Sequence, residues 1–223
     1  MQEGDGRICS RKKILRPLSV FSPCSIDGKR RLCYDKGKFS VICEDVVKHQ
    51  SLLKIVLCAM MAALVCVATM IITVPSPLGG FLNLGDGLVL LAGWLLGPLY
   101  GFLAAGLGSA LADLFLGYAF YVPGTFLIKG LSALLCALLI RALNRSVRIR
   151  PLLWIGAGLV AEIEMVIGYF AYSAIFQAEG WGAIVSVPGN AVQGIAGICV
   201  FTVLAAVFEK YRITRLFDTN SKD

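Results

Sequence analysis

Residues 141–150 read RALNRSVRIR: four arginines in ten positions, set between two long apolar stretches. Arginine is costly in hydrocarbon, and loops rich in Lys and Arg stay on the cytoplasmic side of a membrane. The run therefore reads as a cytoplasmic loop, entered by a helix over 125–143 and left by another over 152–176. Ten basic residues follow position 50, and nine of them lie in this loop or near the ends of the apolar region, among them Lys54, Lys210, Arg212 and Arg215. Both ends must then share the loop's side, which requires an even number of crossings before it and an even number after it. Four and two satisfy both conditions, with spans expected over 52–74, 83–97, 99–117, 125–143, 152–176 and 183–208. The expected fold is an all-α membrane protein of six transmembrane helices, with both termini cytoplasmic.

Composition agrees. The chain has 223 residues, 57% of them hydrophobic, and a mean hydropathy of +0.78, beyond what an ordinary soluble domain carries. One crossing takes about 20 apolar residues, so the roughly 157 residues from Leu52 to Phe208 accommodate five to seven. The ten-residue alternation of a membrane barrel is absent. The second span is short, roughly 15 residues or about 22 Å of helix. The Pro/Gly-rich segment before it, 75–80, can dip back toward the membrane as a lid, where irregular backbone is tolerated only over protein or a wet cavity.

Outside the apolar region, residues 1–50 hold eleven Lys/Arg against six Asp/Glu. They lack an apolar core ahead of a small-residue cleavage site, so no signal peptide is expected. Turn formers interrupt them, and they read as a basic, mostly disordered cytoplasmic extension touching anionic lipid headgroups. The membrane domain then occupies 51–210 and a cytoplasmic tail 211–223. The eight cysteines lack the paired spacing of zinc sites, and those within spans pack as small hydrophobes, so no metal and no cofactor is expected.

Lys129 is the exception among the basic residues, lying inside an apolar stretch. Other polar residues gather at the same depth, in the half of the spans away from the arginine loop. Asn83 and Asp86 start the second span, Asp113 ends the third, and Tyr118 and Tyr121 follow it. Thr125 lies beside Lys129 on the fourth. Glu162, Glu164, Tyr169 and Tyr172 lie along the fifth, Trp181 precedes the sixth, and Asn190 and Gln193 lie in its outer third. Such segregation predicts a pocket open to the outside, with donors and acceptors for a small, polar, planar molecule and aromatic rings to cover its faces. Bland alternatives stand beside this. Asp113 and Lys129 also fit a structural ion pair, Asp86 a cap on the second helix, and the aromatics an interfacial belt. Glu162 and Glu164, two apart, cannot share a helix face, so one is expected toward the cavity. Ala59, Ala62 and Ala63 make a smooth face on the first span, suited to internal packing or to a docking partner.

Several chemistries are excluded. There is no phosphate-binding Gly-x4-Gly-Lys-Ser/Thr loop. The single histidine, His49, precedes the first span, which removes a Ser-His-Asp or His-zinc site in the outer half. No nucleic-acid-binding motif accompanies the basic tail, and no nucleic acid partner is expected.

Six segments together carry a family resemblance: Asn83-Leu84-Gly85-Asp86-Gly87, Gly97-Pro98-Leu99-Tyr100-Gly101, the run from Gly108 to Leu114, the run from Pro123 to Gly130, the run from Glu164 to Phe170, and Pro188-Gly189-Asn190-Ala191-Val192-Gln193-Gly194. Over roughly 52–210 the chain resembles the substrate-binding S components of energy-coupling-factor (ECF) vitamin transporters, in the riboflavin-type subgroup that also includes hydroxymethylpyrimidine and pyridoxine binders. The resemblance implies six helices, a vitamin site toward the extracellular side formed by Asn83, Asp113, Lys129, Glu164, Tyr169, Asn190 and Gln193, and a lid after the first helix. It also implies docking through Ala59, Ala62 and Ala63 onto a transmembrane coupling subunit driven by two ATPase subunits, in a bacterial plasma membrane. The expected role is binding rather than catalysis. Two other classes compete: a stand-alone proton-coupled secondary transporter using Asp113 or Glu164 as carrier, and a membrane enzyme acting on a lipid or prenyl substrate. The first of these lacks an evident inverted repeat.

Overall fold

A computed structural model describes residues 36–71, 73–75, 81–144, 149–176 and 180–212, with side chains from Leu52 onward except over 73–75 and 81–82. Most of the expected lid segment, of the basic extension and of the C-terminal tail, with Arg145, Arg148 and Arg215, lies outside the described residues. By internal contacts the chain divides into Met1–Val47 and Lys48–Asp223. The fold below is that of the second unit.

Among the described residues there are six helices: α1 Lys36–Ile71, α2 Asp86–Leu96, α3 Pro98–Phe115, α4 Val122–Leu143, α5 Arg150–Phe176 and α6 Ser186–Lys210, the last preceded by a 3-10 turn over Gly180–Val185. Five segments of the described residues are long and apolar enough to cross a bilayer: Leu52–Ile71, Pro98–Phe115, Val122–Leu143, Arg150–Phe176 and Gly180–Lys210. The sixth, α2, has only 11 residues, about 16 Å of helix. It starts later than expected because the residues before it pair as strand. β1 (Thr73–Pro75) and β2 (Phe81–Asn83) form a short antiparallel ladder in the register Thr73↔Asn83, Val74↔Leu82, Pro75↔Phe81. The same ladder ends the first helix at Ile71 rather than at 74.

Proline placement explains the helix starts. Pro98 opens α3, and Pro123, Pro151 and Pro188 fall in the first turns of α4, α5 and α6, where a missing N–H leaves no intrahelical bond unmade. Between α2 and α3, Gly97 takes a φ of +83° and donates its N–H to Gly93 O at 3.0 Å. A Cβ there would also sit 2.2 Å from the Arg141 guanidinium, so only glycine fits this corner.

Leu64, Leu107, Leu127, Ile163, Val192 and Ile195 face outward, while alanine, glycine and the polar groups share the interior with Leu90, Leu153, Trp154 and Phe201. Lipid offers no hydrophobic drive between helices, so close backbone approach supplies the attraction. A Cβ on Gly93 of α2 would meet Ala133 O of α4 at 2.2 Å, and one on Gly108 of α3 would meet Ala62 O of α1 at 2.5 Å. At one end of the bundle, Trp94 packs edge-on to Trp154 and Phe201, with centroids 5.6 and 6.4 Å apart. That is also the basic end. Arg141 ends α4, and Arg150 at the start of α5 pairs with Glu209 at the end of α6 at 3.4 Å.

Candidate functional site

Helices that alternate in direction bring a second set of termini together at the opposite end: the C-terminal turns of α1, α3 and α5 and the N-terminal turns of α2, α4 and α6. A polar cavity lies there. Thr69 contributes from α1 and Asn83 from β2. Ser109 and Asp113 come from α3, Tyr118 and Tyr121 from the turn after it, and Thr125 and Lys129 from α4. Tyr169 and Ser173 come from α5, and Ser186, Asn190 and Gln193 from α6.

One carboxylate organises its floor. Lys129, fully enclosed at 2% exposure, forms an ion pair and hydrogen bond with Asp86 Oδ1. Gln193 Nε2 donates to the other oxygen, Asp86 Oδ2, at 2.7 Å. Asn83 N–H donates to Gln193 Oε1 at 2.9 Å, and Gly85 N–H to Asn83 Oδ1 at 2.9 Å. These bonds fix the amide of Gln193, since its NH2 must face the carboxylate and its carbonyl the N–H. Through Asp86 and Gln193 the start of α2 and the end of β2 are tied to α4 and α6. A buried charge is tolerable only with such pairing.

A second chain of contacts runs up the wall. Lys129 Nζ lies 5.3 Å from the centroid of the Tyr169 ring, within cation–π range. Tyr169 Oη donates to Thr125 Oγ1 at 3.1 Å, and Asp113 lines the same space. Asp113 Oδ2 has no hydrogen-bond partner among the described residues.

Of the residues expected at the site, Asn83, Asp113, Lys129, Tyr169, Asn190 and Gln193 line this one cavity. Glu164 stands outside its wall, half-buried, and accepts a hydrogen bond from Ser132 Oγ at 2.9 Å. Glu162 is the inward carboxyl of that pair, 4% exposed, yet it too lies below the cavity, with neither oxygen bonded among the described residues. Two structural alternatives are corrected. Lys129 pairs with Asp86, not Asp113. Asp86 is not a cap: Gly85 holds that position, with no side-chain cap bond. The physical reason is depth, because α2 begins inside the bundle and so brings its first residue level with the second turn of α4. The aromatics divide. Tyr118 and Tyr121 line the cavity, whereas Trp181 stands 85% exposed, as a belt residue would.

The hydroxyl residues Ser109, Ser173 and Ser186 went unmarked in the sequence, although a signal exists. Ser109 and Asp113, Thr125 and Lys129, Tyr169 and Ser173, and Ser186 and Asn190 are all four apart, so each falls on the same helix face as a residue already marked.

The fold and this cavity define a multi-pass helical membrane protein with a polar chamber at one end. Over residues 49–210 the sequence matches the family of ECF-type riboflavin transporters, S component, and the chain belongs to that family. Over 147 residues it is also 32% identical to a Pyrococcus woesei protein described as "Uncharacterized protein in gap 3'region", an alignment covering 66% of this chain and 95% of that protein. As a member of the family, the chain is a substrate-binding subunit of an ECF transporter.

Proposed function

We propose that this subunit captures a small vitamin or vitamin precursor, of the riboflavin, hydroxymethylpyrimidine or pyridoxine class, at the extracellular face of a bacterial plasma membrane. A transmembrane coupling subunit and two ATPase subunits then power its uptake. The observation that carries this is the cavity itself: five helices and β2 turn polar side chains into it, at the end away from Arg141, Arg150 and Lys210. By the charge rule the basic end is cytoplasmic, so the chamber opens outward. Asn83, Asp113, Lys129, Tyr169, Asn190 and Gln193 are the groups assigned to the ligand, with Glu164 behind them. Residues 51–210 form the capture domain, flanked by cytoplasmic segments over 1–50 and 211–223 that meet solvent and anionic lipid.

Docking is assigned to the outer face of α1. Ala59 and Ala63 are exposed one turn apart, while Ala62 turns inward onto Gly108 of α3. A partner helix would therefore meet Ala59 and Ala63, and Ala62 would hold their helix in place. The first test is mass spectrometry of small molecules released from the detergent-purified chain. A vitamin or precursor at close to one-to-one ratio is expected. Vesicles holding the chain alone that concentrate substrate on a proton gradient would overturn the subunit role.

A further inference from the structure

The cavity holds an acceptor with nothing to accept from. Asp113 lines it and is 4% exposed. Its Oδ2 has no hydrogen-bond partner among the described residues. The lining side chain that could neutralise it, Lys129, is already engaged by Asp86. Other polar groups of the wall are spent on each other: Gln193 on Asp86 and Asn83, and the Tyr169 hydroxyl on Thr125. The Asn190 amide and the Ser109 and Ser173 hydroxyls line the same space and can turn either a donor or an acceptor to a ligand, whereas the carboxylate oxygen can only accept.

An enclosed carboxylate oxygen with no donor is unfavourable, and the strain falls on whichever ligand fails to satisfy it. A ligand that brings an N–H removes that penalty. One that turns a carbonyl to the same place sets lone pair against lone pair and is rejected. We infer that the captured molecule presents an exocyclic amine or protonated ring nitrogen to Asp113, so that the chamber selects an amino-substituted heteroaromatic ring over its oxo-substituted counterpart. This rests on the capture role proposed above and narrows its substrate class. Tyr118 and Tyr121, on the turn that follows Asp113, line the same space and offer ring faces to a flat ligand.

The test is a matched pair of probes differing at one substituent: 4-amino-5-hydroxymethyl-2-methylpyrimidine and its 4-oxo analogue, titrated calorimetrically into the full chain in detergent. The amine is expected to bind at least about tenfold more tightly, the size of one hydrogen bond to a charged group. In Asp113→Asn the preference should fall to within about threefold, and in Asp113→Glu an amine preference should remain. The comparison on the unmodified chain carries the test even where a variant folds poorly. Equal or tighter binding of the oxo ring, an undiminished preference in Asp113→Asn, or binding of neither probe each overturns the inference. A different molecule lacking an amine, recovered one-to-one from the purified chain, would end this inference while leaving the capture role standing.

Discussion

Asp86 ties α2 to α4 and α6 through one carboxylate, with Lys129 on one oxygen and Gln193 on the other. Removing one member of a buried pair leaves the other charge uncompensated, at about 3–5 kcal/mol, whereas removing both is far milder. Asp86→Asn should therefore lower the thermal unfolding midpoint in detergent sharply. Lys129→Met should do the same, and the double variant should recover most of the loss. A midpoint unmoved by Asp86→Asn would show that Lys129 does not depend on it. Ligand binding is expected to weaken in all three, because Gln193 and Lys129 lose their anchor. The sequence showed Asp86 but not its role. A carboxylate in the first turn of a helix has a sufficient local explanation, and its partners lie 43 and 107 residues away. Lys129 was legible because a lone cation in an apolar stretch has no local explanation.

Among the helices, α2 is the one the others are built around. It is buried from Asp86 through Gly93 apart from Leu88, which is half-buried, and glycine lets α4 close on it. Gly93→Ala should cost about 1–3 kcal/mol, since the new methyl would lie 2.2 Å from Ala133 O and must push two backbones apart. Gly156→Ala on α5 is the control. A Cβ there meets nothing within 4 Å, and replacing glycine in a helix should be neutral or stabilise by up to about 1 kcal/mol. Melting both in the same detergent decides the point; equal midpoints would mean that α2 and α4 are not in backbone contact. The bounds of α2 to α6 were readable to within about three residues from hydropathy and proline, as with α4, whose start moved only from 125 to Val122. Helix α1 instead reaches back to Lys36, into the stretch expected to be disordered, rather than starting at 52. The end of α1 and the start of α2 each moved by three residues because 73–75 pairs with 81–83 as strand, a contact between two segments that leaves no periodicity in either.

For the molecule as a whole, the charged end and the polar chamber are opposite ends of one bundle, and the face of α1 bearing Ala59 and Ala63 lies on neither. Binding and docking should therefore separate. Ala59→Trp together with Ala63→Trp is expected to abolish uptake in cells while leaving ligand affinity of the purified chain within about twofold. Loss of binding as well would place those alanines in the chamber's support instead of at a partner interface. The position of the chamber also sets the order in which it is made. Translation releases Asp86 ahead of Lys129 by 43 residues, so at roughly 5–20 residues per second the carboxylate waits about 2–9 s for its cation. With 11 residues, α2 is too short to be held in the bilayer by its own hydrophobicity, and the Gly97 turn joins it directly to α3, which is long and apolar enough to cross. The nascent chain thus carries an unpaired acid into the lipid first and its lysine later. The chamber is complete only when the last helix, emerging from the ribosome, delivers Asn190 and Gln193.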